Sequence, residues 1–198
     1  MEELLVRGLC KRFEDKVVLQ DFTARFPAGE TTCIMGRSGC GKTTLLNILM
    51  GFLAPDAGEV RGRPARLSAV FQEDRLLEGF SARANIAFVS PQLPAEQIDR
   101  HLAAVGLAQD AGQPVRELSG GMRRRVAIVR AVLAGGDLLL LDEPFKGLDE
   151  TTRASVASYL RAETAGRTVV MVTHDPDEVA LMGGQLLEME PAGAGDMT

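Results

Sequence analysis

The chain has 198 residues, of which 45% are hydrophobic and 25% are charged, and its formal net charge is −5. This composition is typical of one soluble globular domain, and the acidic balance argues against a nucleic-acid backbone as the main partner. Three cysteines without CxxC spacing exclude a disulfide framework and favour a reducing compartment. No apolar run approaches the roughly 20 residues of a membrane-spanning helix, and the N-terminus does not resemble a signal peptide.

The first part of the chain is predicted to form strands separated by turns, followed by a glycine-rich loop and a helix. Residues 16–26 alternate apolar and polar side chains and predict a strand. Residues 30–35 predict a second strand that runs directly into the glycine-rich loop. The spacing then predicts a helix over 42–51 and short strands over 58–62 and 66–71.

The middle of the chain has more prolines and helical periodicity in place of strands, and it predicts a small helical subdomain at about 73–134. Within it, residues 95–107 predict an amphipathic helix, on whose surface we expect His101. Residues 121–136 carry apolar side chains at helical spacing and predict another helix. The arginines at 123–125 form a local basic cluster, which leaves contact with nucleic acid open at this one place.

The last part of the chain contains the most apolar segment. Residues 137–143 form a short continuous apolar run that ends in acid, as expected for a strand buried on both faces of a parallel sheet. A helix over 150–164, a strand over 168–173, a short helix after His174 and a strand over 184–190 follow. Strands that alternate with helices predict an α/β fold with right-handed crossovers.

These elements predict one domain over residues 1–190. The remaining residues, 191–198, are rich in small side chains and are predicted to be a disordered tail.

The segment GRSGCGKTT at 36–44 satisfies the pattern G-x-x-x-x-G-K-[ST] in full. Its glycines let backbone N–H groups point at phosphate oxygens, Lys42 can reach the β- and γ-phosphates, and the Thr43 hydroxyl can bind Mg²⁺. A glycine-rich turn with an incidental lysine is disfavoured because a strand precedes the loop and a helix follows it. The predicted nucleotide-binding residues are Gly36, Arg37, Ser38, Gly39, Cys40, Gly41, Lys42, Thr43 and Thr44.

Two acidic residues end the buried strand in LLLLDEP. Asp142 stands where ligands of parallel sheets bind and can hold Mg²⁺ directly or through water. Glu143 can orient or deprotonate a water aimed at the γ-phosphate. The ordinary alternative is that the two acids are simply exposed to solvent at the end of a strand. The nearby phosphate loop makes this interpretation less favoured. A carboxylate paired with the loop lysine favours hydrolysis over transfer to a second substrate.

At this point the chain resembles the nucleotide-binding subunits of ABC transporters, from Leu4 to about Leu187. LSGGM at 118–122 is similar to the signature motif of that family, although Met122 stands where glutamine is more common. Lys146 and Gly147 likewise stand where a small pair is common.

Four further residues match motifs of the family in the expected order. Gln72 resembles the Q-loop glutamine that senses Mg²⁺, and Asp149 resembles the D-loop aspartate near the dimer interface. His174 resembles the switch histidine that contacts the γ-phosphate, and Phe13 resembles the aromatic residue that stacks on adenine. Each has an ordinary reading alone: a core phenylalanine, a surface glutamine, a helix-capping histidine. The ordered set favours the family.

The resemblance implies a P-loop NTPase fold with a RecA-like parallel-sheet core, an antiparallel β subdomain and a small helical signature subdomain. It implies ATP and Mg²⁺ as ligands, a metal site formed by Thr43, Gln72 and Asp142, and the catalytic residues Lys42, Glu143 and His174.

Besides the phosphate loop, the chain has a second helix start that can bind an anion, at Ser119. The resemblance implies a reason for it. In the family, Ser119, Gly120 and Gly121 of one subunit would bind the γ-phosphate held by the phosphate loop of another, in a head-to-tail homodimer that needs ATP. The other implied partners are transmembrane permease subunits at the cytoplasmic face of the membrane and, for an importer, a substrate-binding protein. Residues 71–86 resemble importer subunits for anions such as nitrate, sulfonates or taurine.

Two other functions stay open at this stage. A soluble ABC ATPase of repair or translation usually has a coiled-coil insertion or tandem cassettes, and neither is present. A binding-only regulatory cassette would be expected to lack catalytic residues, whereas Glu143 and His174 are both present.

Overall fold

The computed structural model describes residues 3–192. Its strands are β1 (Leu4–Phe13), β2 (Lys16–Phe26), β3 (Thr31–Met35), β4 (Ala57–Arg61), β5 (Leu67–Val70), β6 (Leu138–Asp142), β7 (Thr168–Thr173) and β8 (Gln185–Glu188). Its α-helices are α1 (Lys42–Met50), α2 (Ala82–Ala87), α3 (Ala95–Ala104), α4 (Gly120–Ala134), α5 (Glu150–Glu163) and α6 (Pro176–Met182). From residue 193 onwards, the tail predicted to be disordered lies outside the described residues.

Five parallel strands form the central sheet in the order β5-β6-β7-β3-β8, which confirms the predicted α/β fold. β6 and β7 are buried along their whole length, because helices or other strands cover both faces of the sheet. Leu139 and Leu141 of β6 pack into the core formed with α2 to α5. Leu138 and Leu140 point the other way, into the core formed with α1 and the smaller sheet. Burying each leucine contributes about 1.5–3 kcal/mol.

The smaller sheet is antiparallel, with the order β2-β1-β4, as the family resemblance implies. The residue pattern predicts β2 with the bounds found here, but it indicates no strand for β1. The pairing of β1 with β2 shifts register between Val6 and Leu9, around Gly8, whose φ is +59°. This irregularity breaks the alternation by which a strand is recognised in a sequence.

The regular structure between β5 and β6 is helical, as predicted, whereas the limits of a subdomain at 73–134 stay a prediction. α3 buries Ile98 and Leu102, as its amphipathic pattern indicates. His101 is less exposed than the expected surface position: its side chain is 15% exposed, and its Nδ1 lies 3.0 Å from the hydroxyl of Tyr159 on α5, whose ring packs edge-on against the imidazole.

Four neighbouring strands of the parallel sheet end at the same edge of the molecule. The phosphate loop follows β3, Gln72 lies just beyond β5, Glu143 follows β6 and His174 follows β7. Ligands of open α/β sheets bind outside the carboxyl ends of the strands. The fold therefore brings motifs that are far apart in sequence to one edge.

Candidate active site

The loop at residues 36–41 joins β3 to α1 and approaches other backbone segments too closely for a side chain. Gly41 has a φ of +105°, and a Cβ there would lie 2.8 Å from the carbonyl oxygen of Val18. At Gly36, a Cβ would overlap the carbonyl oxygen of Met189. Glycine at these two positions therefore lets the loop fold tightly and turn its N–H groups inward.

Lys42 begins α1, and its side chain folds back into the loop. The ammonium Nζ donates to the carbonyl oxygens of Gly36, at 2.6 Å, and Arg37, at 3.0 Å, and the residue is 7% exposed. The same residue lines the pocket beside the loop. Lys42 therefore places a positive charge beside the space that a phosphate would occupy.

A pocket of about 380 Å³ lies over the loop. Residues 38–39 and 41–44, from the loop and the start of α1, line it together with Phe13, Gln72, Asp142 at the end of β6 and Glu143 just after it. Gly36, Arg37 and Cys40 belong to the loop but do not line the pocket, and the Cys40 side chain is buried in the core. Residues absent from the predicted set also line the pocket, namely Lys16, Val18 and Val172.

Thr43 and Asp142 form the polar floor of this pocket. The Thr43 hydroxyl donates to Oδ2 of Asp142 at 3.0 Å. Burial raises the pKa of the Asp142 carboxyl, an effect that the hydrogen bond from Thr43 opposes and the nearby Glu143 adds to. A hydroxyl and a carboxylate beside a phosphate-binding loop are the oxygen ligands that Mg²⁺ takes, together with phosphate oxygens and water. The residues present therefore fit a magnesium ion.

Glu143, which lines the pocket, is paired with His174, an exposed residue that does not line it. Nδ1 of His174 lies 3.3 Å from Oε1 of Glu143, and Nζ of Lys146 lies 4.0 Å from the other carboxylate oxygen. Glu143 has a φ of +47°, a left-handed conformation that costs about 1 kcal/mol or more for a residue with a side chain. Such strain is common where a side chain is held in position for chemistry.

Four predicted binding residues lie apart from the pocket. Ser119, Gly120 and Gly121 form the amino end of α4, where the Ser119 hydroxyl accepts from the N–H of Met122 at 3.3 Å. Asp149 caps α5 by accepting from the N–H and hydroxyl of Thr152, which lowers the pKa of its carboxyl. Within the described chain, these residues do not contribute to the surface of the nucleotide pocket.

The basic cluster at 123–125 does not form a continuous basic surface. Arg123 donates to the Leu118 carbonyl and Arg125 to the Val105 carbonyl, each at 2.7 Å. Arg124 is buried, with 3% of its surface exposed, and contacts segments on both sides of the pocket. In the sequence Arg124 is part of a charged run, and the one sign that it is buried is its position among the apolar residues of α4.

A glycine-rich phosphate loop after one parallel strand, with acidic residues at the end of another, defines a P-loop nucleoside triphosphatase. A sequence profile of the ABC transporter family matches residues 19–146. The taurine import ATP-binding protein TauB of Roseobacter denitrificans is 39% identical over 96% of this chain and 79% of its own length. The chain belongs to the ABC transporter family, and it is an ATPase that binds ATP.

Two further comparisons agree with this family. The aliphatic sulfonates import ATP-binding protein SsuB 2 of Burkholderia cenocepacia is 37% identical over 91% of this chain and 71% of its own length. The solved structure of MJ0796, described as a dimeric bacterial ABC transporter cassette, superposes with a TM-score of 0.83. It is 25% identical, and the match covers 94% of each chain. Among the helices of residues 3–192, none is long and apolar enough to cross a membrane.

Proposed function

We propose that this chain is the ATP-hydrolysing subunit of a bacterial importer and that it works as a head-to-tail dimer. One observation carries the proposal: the signature residues Ser119, Gly120 and Gly121 lie outside the pocket formed by the phosphate loop of the same chain. Ser119 and Gly120 are exposed at the amino end of a 15-residue helix, where backbone N–H groups favour an anion. In this proposal a second copy brings them to the γ-phosphate. The likeness to a cassette described as dimeric supports it.

In the proposed complex, the chain holds ATP by its base and by its phosphates. Phe13, 46% exposed at the mouth of the pocket, would stack on adenine. The loop N–H groups and Lys42 would bind the β- and γ-phosphates. Lys16, which lines the same pocket, would add a second positive charge near the phosphates.

Thr43, Asp142 and Gln72 would hold Mg²⁺ at this site. When bound, the ion neutralises charge that develops on the β- and γ-phosphate oxygens. Asp142 would contribute as a carboxylate, and its hydrogen bond with Thr43 holds the two oxygen atoms 3.0 Å apart. Gln72 extends the site from the loop after β5.

Glu143 would act as the base or orienting group for the attacking water, and His174 would contact the γ-phosphate. Their contact at 3.3 Å allows both side chains to act on one phosphoryl group. Cleavage removes the anion that bridges Ser119 of one copy to the loop of the other. Because ATP binds the closed dimer more tightly than the open one, hydrolysis shifts the pair toward opening.

The proposed receiver of this motion is a pair of transmembrane permease subunits, with the chain on the cytoplasmic face of the membrane. The import direction rests on the names of the similar proteins, which are import ATP-binding proteins for taurine and aliphatic sulfonates. We extend this to a small organic sulfonate as cargo, delivered by a substrate-binding protein. The alternatives, a soluble repair or translation ATPase and a binding-only cassette, are less favoured because these relatives are transport subunits.

A mixture of two inactive variants tests the composite site. Lys42→Ala damages the phosphate loop and Ser119→Arg damages the signature end, so neither homodimer has a complete site. Mixed at equal amounts, the heterodimer has one site with an intact loop facing an intact signature. We expect about a quarter of wild-type turnover in the mixture if sites act independently.

The control for this experiment is ATP affinity measured on each variant alone. Ser119→Arg should bind ATP through its intact loop, whereas Lys42→Ala should bind it weakly. If the mixture is as inactive as its components while Ser119→Arg still binds ATP, the head-to-tail arrangement is wrong.

A further inference from the structure

Arg124 is the only buried arginine among the described residues, and it lies inside α4, the helix whose amino end Ser119 caps. Burying a charge costs several kcal/mol unless the charge is paired and fully hydrogen bonded. A guanidinium in such a place fixes the groups that satisfy it, because moving them away would leave a buried charge without partners.

The guanidinium joins two segments that are far apart in the sequence. On one side it donates to the carbonyl oxygens of Phe71, at 2.6 Å, and Gln72, at 3.0 Å. On the other side it donates to the carbonyl oxygen of Glu143, at 3.2 Å. The carboxylate of Asp74, 3.1 Å away, supplies the opposite charge. Arg124 thus links the loop after β5 to the residue that follows β6.

These bonds bear directly on the conformation of Glu143. Its φ of +47° is unfavourable, so the surrounding contacts must hold it. The N–H of Glu143 donates to the Val172 carbonyl at 3.0 Å, and its carbonyl accepts from Arg124 and from the N–H of Lys146. Arg124 is the only side chain among these partners of the Glu143 main chain. Removing it would loosen the peptide that sets the direction of the carboxylate.

A second arginine of the same helix extends the attachment. Arg130 donates to the carbonyl oxygens of Asp74, at 2.9 Å, and Arg75, at 2.8 Å. The loop at 71–75 is therefore held to α4 by two arginines, but only Arg124 reaches both Gln72 and Glu143. Movement of α4, whose amino end carries Ser119, would be passed to these two residues through Arg124.

We propose that Arg124 is a positioning residue for ATP hydrolysis, which holds the main chains of Gln72 and Glu143 at a fixed separation. The proposal rests on the functions proposed above for Gln72 and Glu143. Arg124 does not line the nucleotide pocket, so it acts through these residues and leaves nucleotide binding to the loop.

The test compares Arg124→Gln and Arg124→Lys with the wild type, measuring kcat and, separately, the Kd for ATP. Misplacement of a catalytic group by about 1 Å can cost 100-fold in rate, so we expect kcat to fall roughly 10- to 100-fold in Arg124→Gln. The Kd for ATP should change by less than about threefold, because ATP binding is not what Arg124 supports. Arg124→Lys keeps the charge but not the planar fork, so kcat should recover in part.

Arg167→Gln is the matched control for loss of a partly buried arginine. Arg167 donates to the Val132 carbonyl of the same helix and to the Ser68 hydroxyl, at the edge of the sheet opposite the pocket. The Arg167→Gln substitution should lower the Tm of the protein and leave its kcat unchanged. The proposal is overturned if kcat falls as far in Arg167→Gln as in Arg124→Gln. It is also overturned if, in folded Arg124→Lys, the affinity for ATP falls by the same factor as kcat.

Glu143→Gln, measured in parallel, separates this proposal from the one on which it rests. If Glu143→Gln keeps wild-type turnover, the assigned base is wrong. If Glu143→Gln is inactive while Arg124→Gln turns over normally, only the positioning role fails. If both hold, adding Arg124→Gln to Glu143→Gln should reduce turnover by a smaller factor than Arg124→Gln does in the wild type, because the loss that acts through Glu143 is already present.

Discussion

Thr43 and Asp142 are 99 residues apart in the sequence, yet the hydroxyl of one donates to the carboxylate of the other at 3.0 Å. Thr43 follows the phosphate loop after β3, and Asp142 ends β6, with β7 between the two strands. The contact joins the helix start beside the phosphate loop to the acidic end of β6. It also keeps a carboxylate in a buried position, where its ionised form is unfavourable.

The first prediction concerns the pH dependence that Asp142 confers. Because burial raises its pKa above the ordinary 3.8, the folded protein keeps a proton at pH values where the unfolded chain has lost it. Stability is therefore lost as the pH rises from 3.8 through the raised value. Asp142→Asn should therefore raise the free energy of unfolding and the Tm at neutral pH without Mg²⁺.

Thermal unfolding at several pH values measures this effect. Asp149→Asn is a useful control, because hydrogen bonds from Thr152 lower the pKa of Asp149, so its removal should not stabilise the protein. Asp142→Asn should also lose Mg²⁺-dependent turnover. A lower Tm for Asp142→Asn than for the wild type at neutral pH would contradict the inference that burial of the ionised Asp142 carboxylate destabilises the fold.

The second prediction concerns Lys42. Lys42→Ala removes a charge beside the pocket and two hydrogen bonds that hold the carbonyls of Gly36 and Arg37. Affinity for ATP should fall about 10- to 100-fold, because charge-assisted hydrogen bonds to phosphate are lost. Calorimetry measures the affinity, with Arg61→Ala as the control, since Arg61 pairs with Glu59 and neither residue lines the pocket. If Lys42→Ala binds ATP as tightly as the wild type, Lys42 does not contribute to phosphate binding.

Local patterns in the sequence predict those parts of the fold that depend on a single segment. The continuous apolar run predicts the buried strand β6, and the glycine spacing predicts the loop between β3 and α1. Both predictions are confirmed. β1 is not predictable by alternation, because Gly8 and the register shifts around it interrupt the pattern.

The environments of His101 and Arg124 depend on residues that are distant in the sequence. The partner of His101, Tyr159, is 58 residues away, so helical periodicity alone places the histidine on the surface. The acceptors of Arg124 come from two loops on either side of the pocket. A charged run in the sequence does not indicate such contacts, because they form only when α4 packs against the sheet.

The third prediction concerns the ring of Phe13. Phe13→Ala should weaken ATP binding by about 1–3 kcal/mol, the range found for stacking of a base on an aromatic side chain. Phe13→Tyr keeps the ring and should bind ATP nearly as well as the wild type. Phe88→Ala removes a ring that is even more exposed than that of Phe13 and does not line the pocket, and it should leave affinity unchanged. Equal affinity of Phe13→Ala and wild type for ATP would show that adenine binds elsewhere.

The fourth prediction concerns Glu143, whose carboxylate lies 3.3 Å from His174. Glu143→Gln keeps the size of the side chain but cannot accept a proton, so turnover should fall by about 100-fold or more. ATP should still bind and bridge two chains, which light scattering would detect as a long-lived dimer in the presence of ATP. Glu163→Gln, which changes a carboxylate beside His101, should behave like the wild type. Normal turnover in Glu143→Gln would exclude this glutamate as the base, and a monomer with ATP bound would exclude the bridging phosphate.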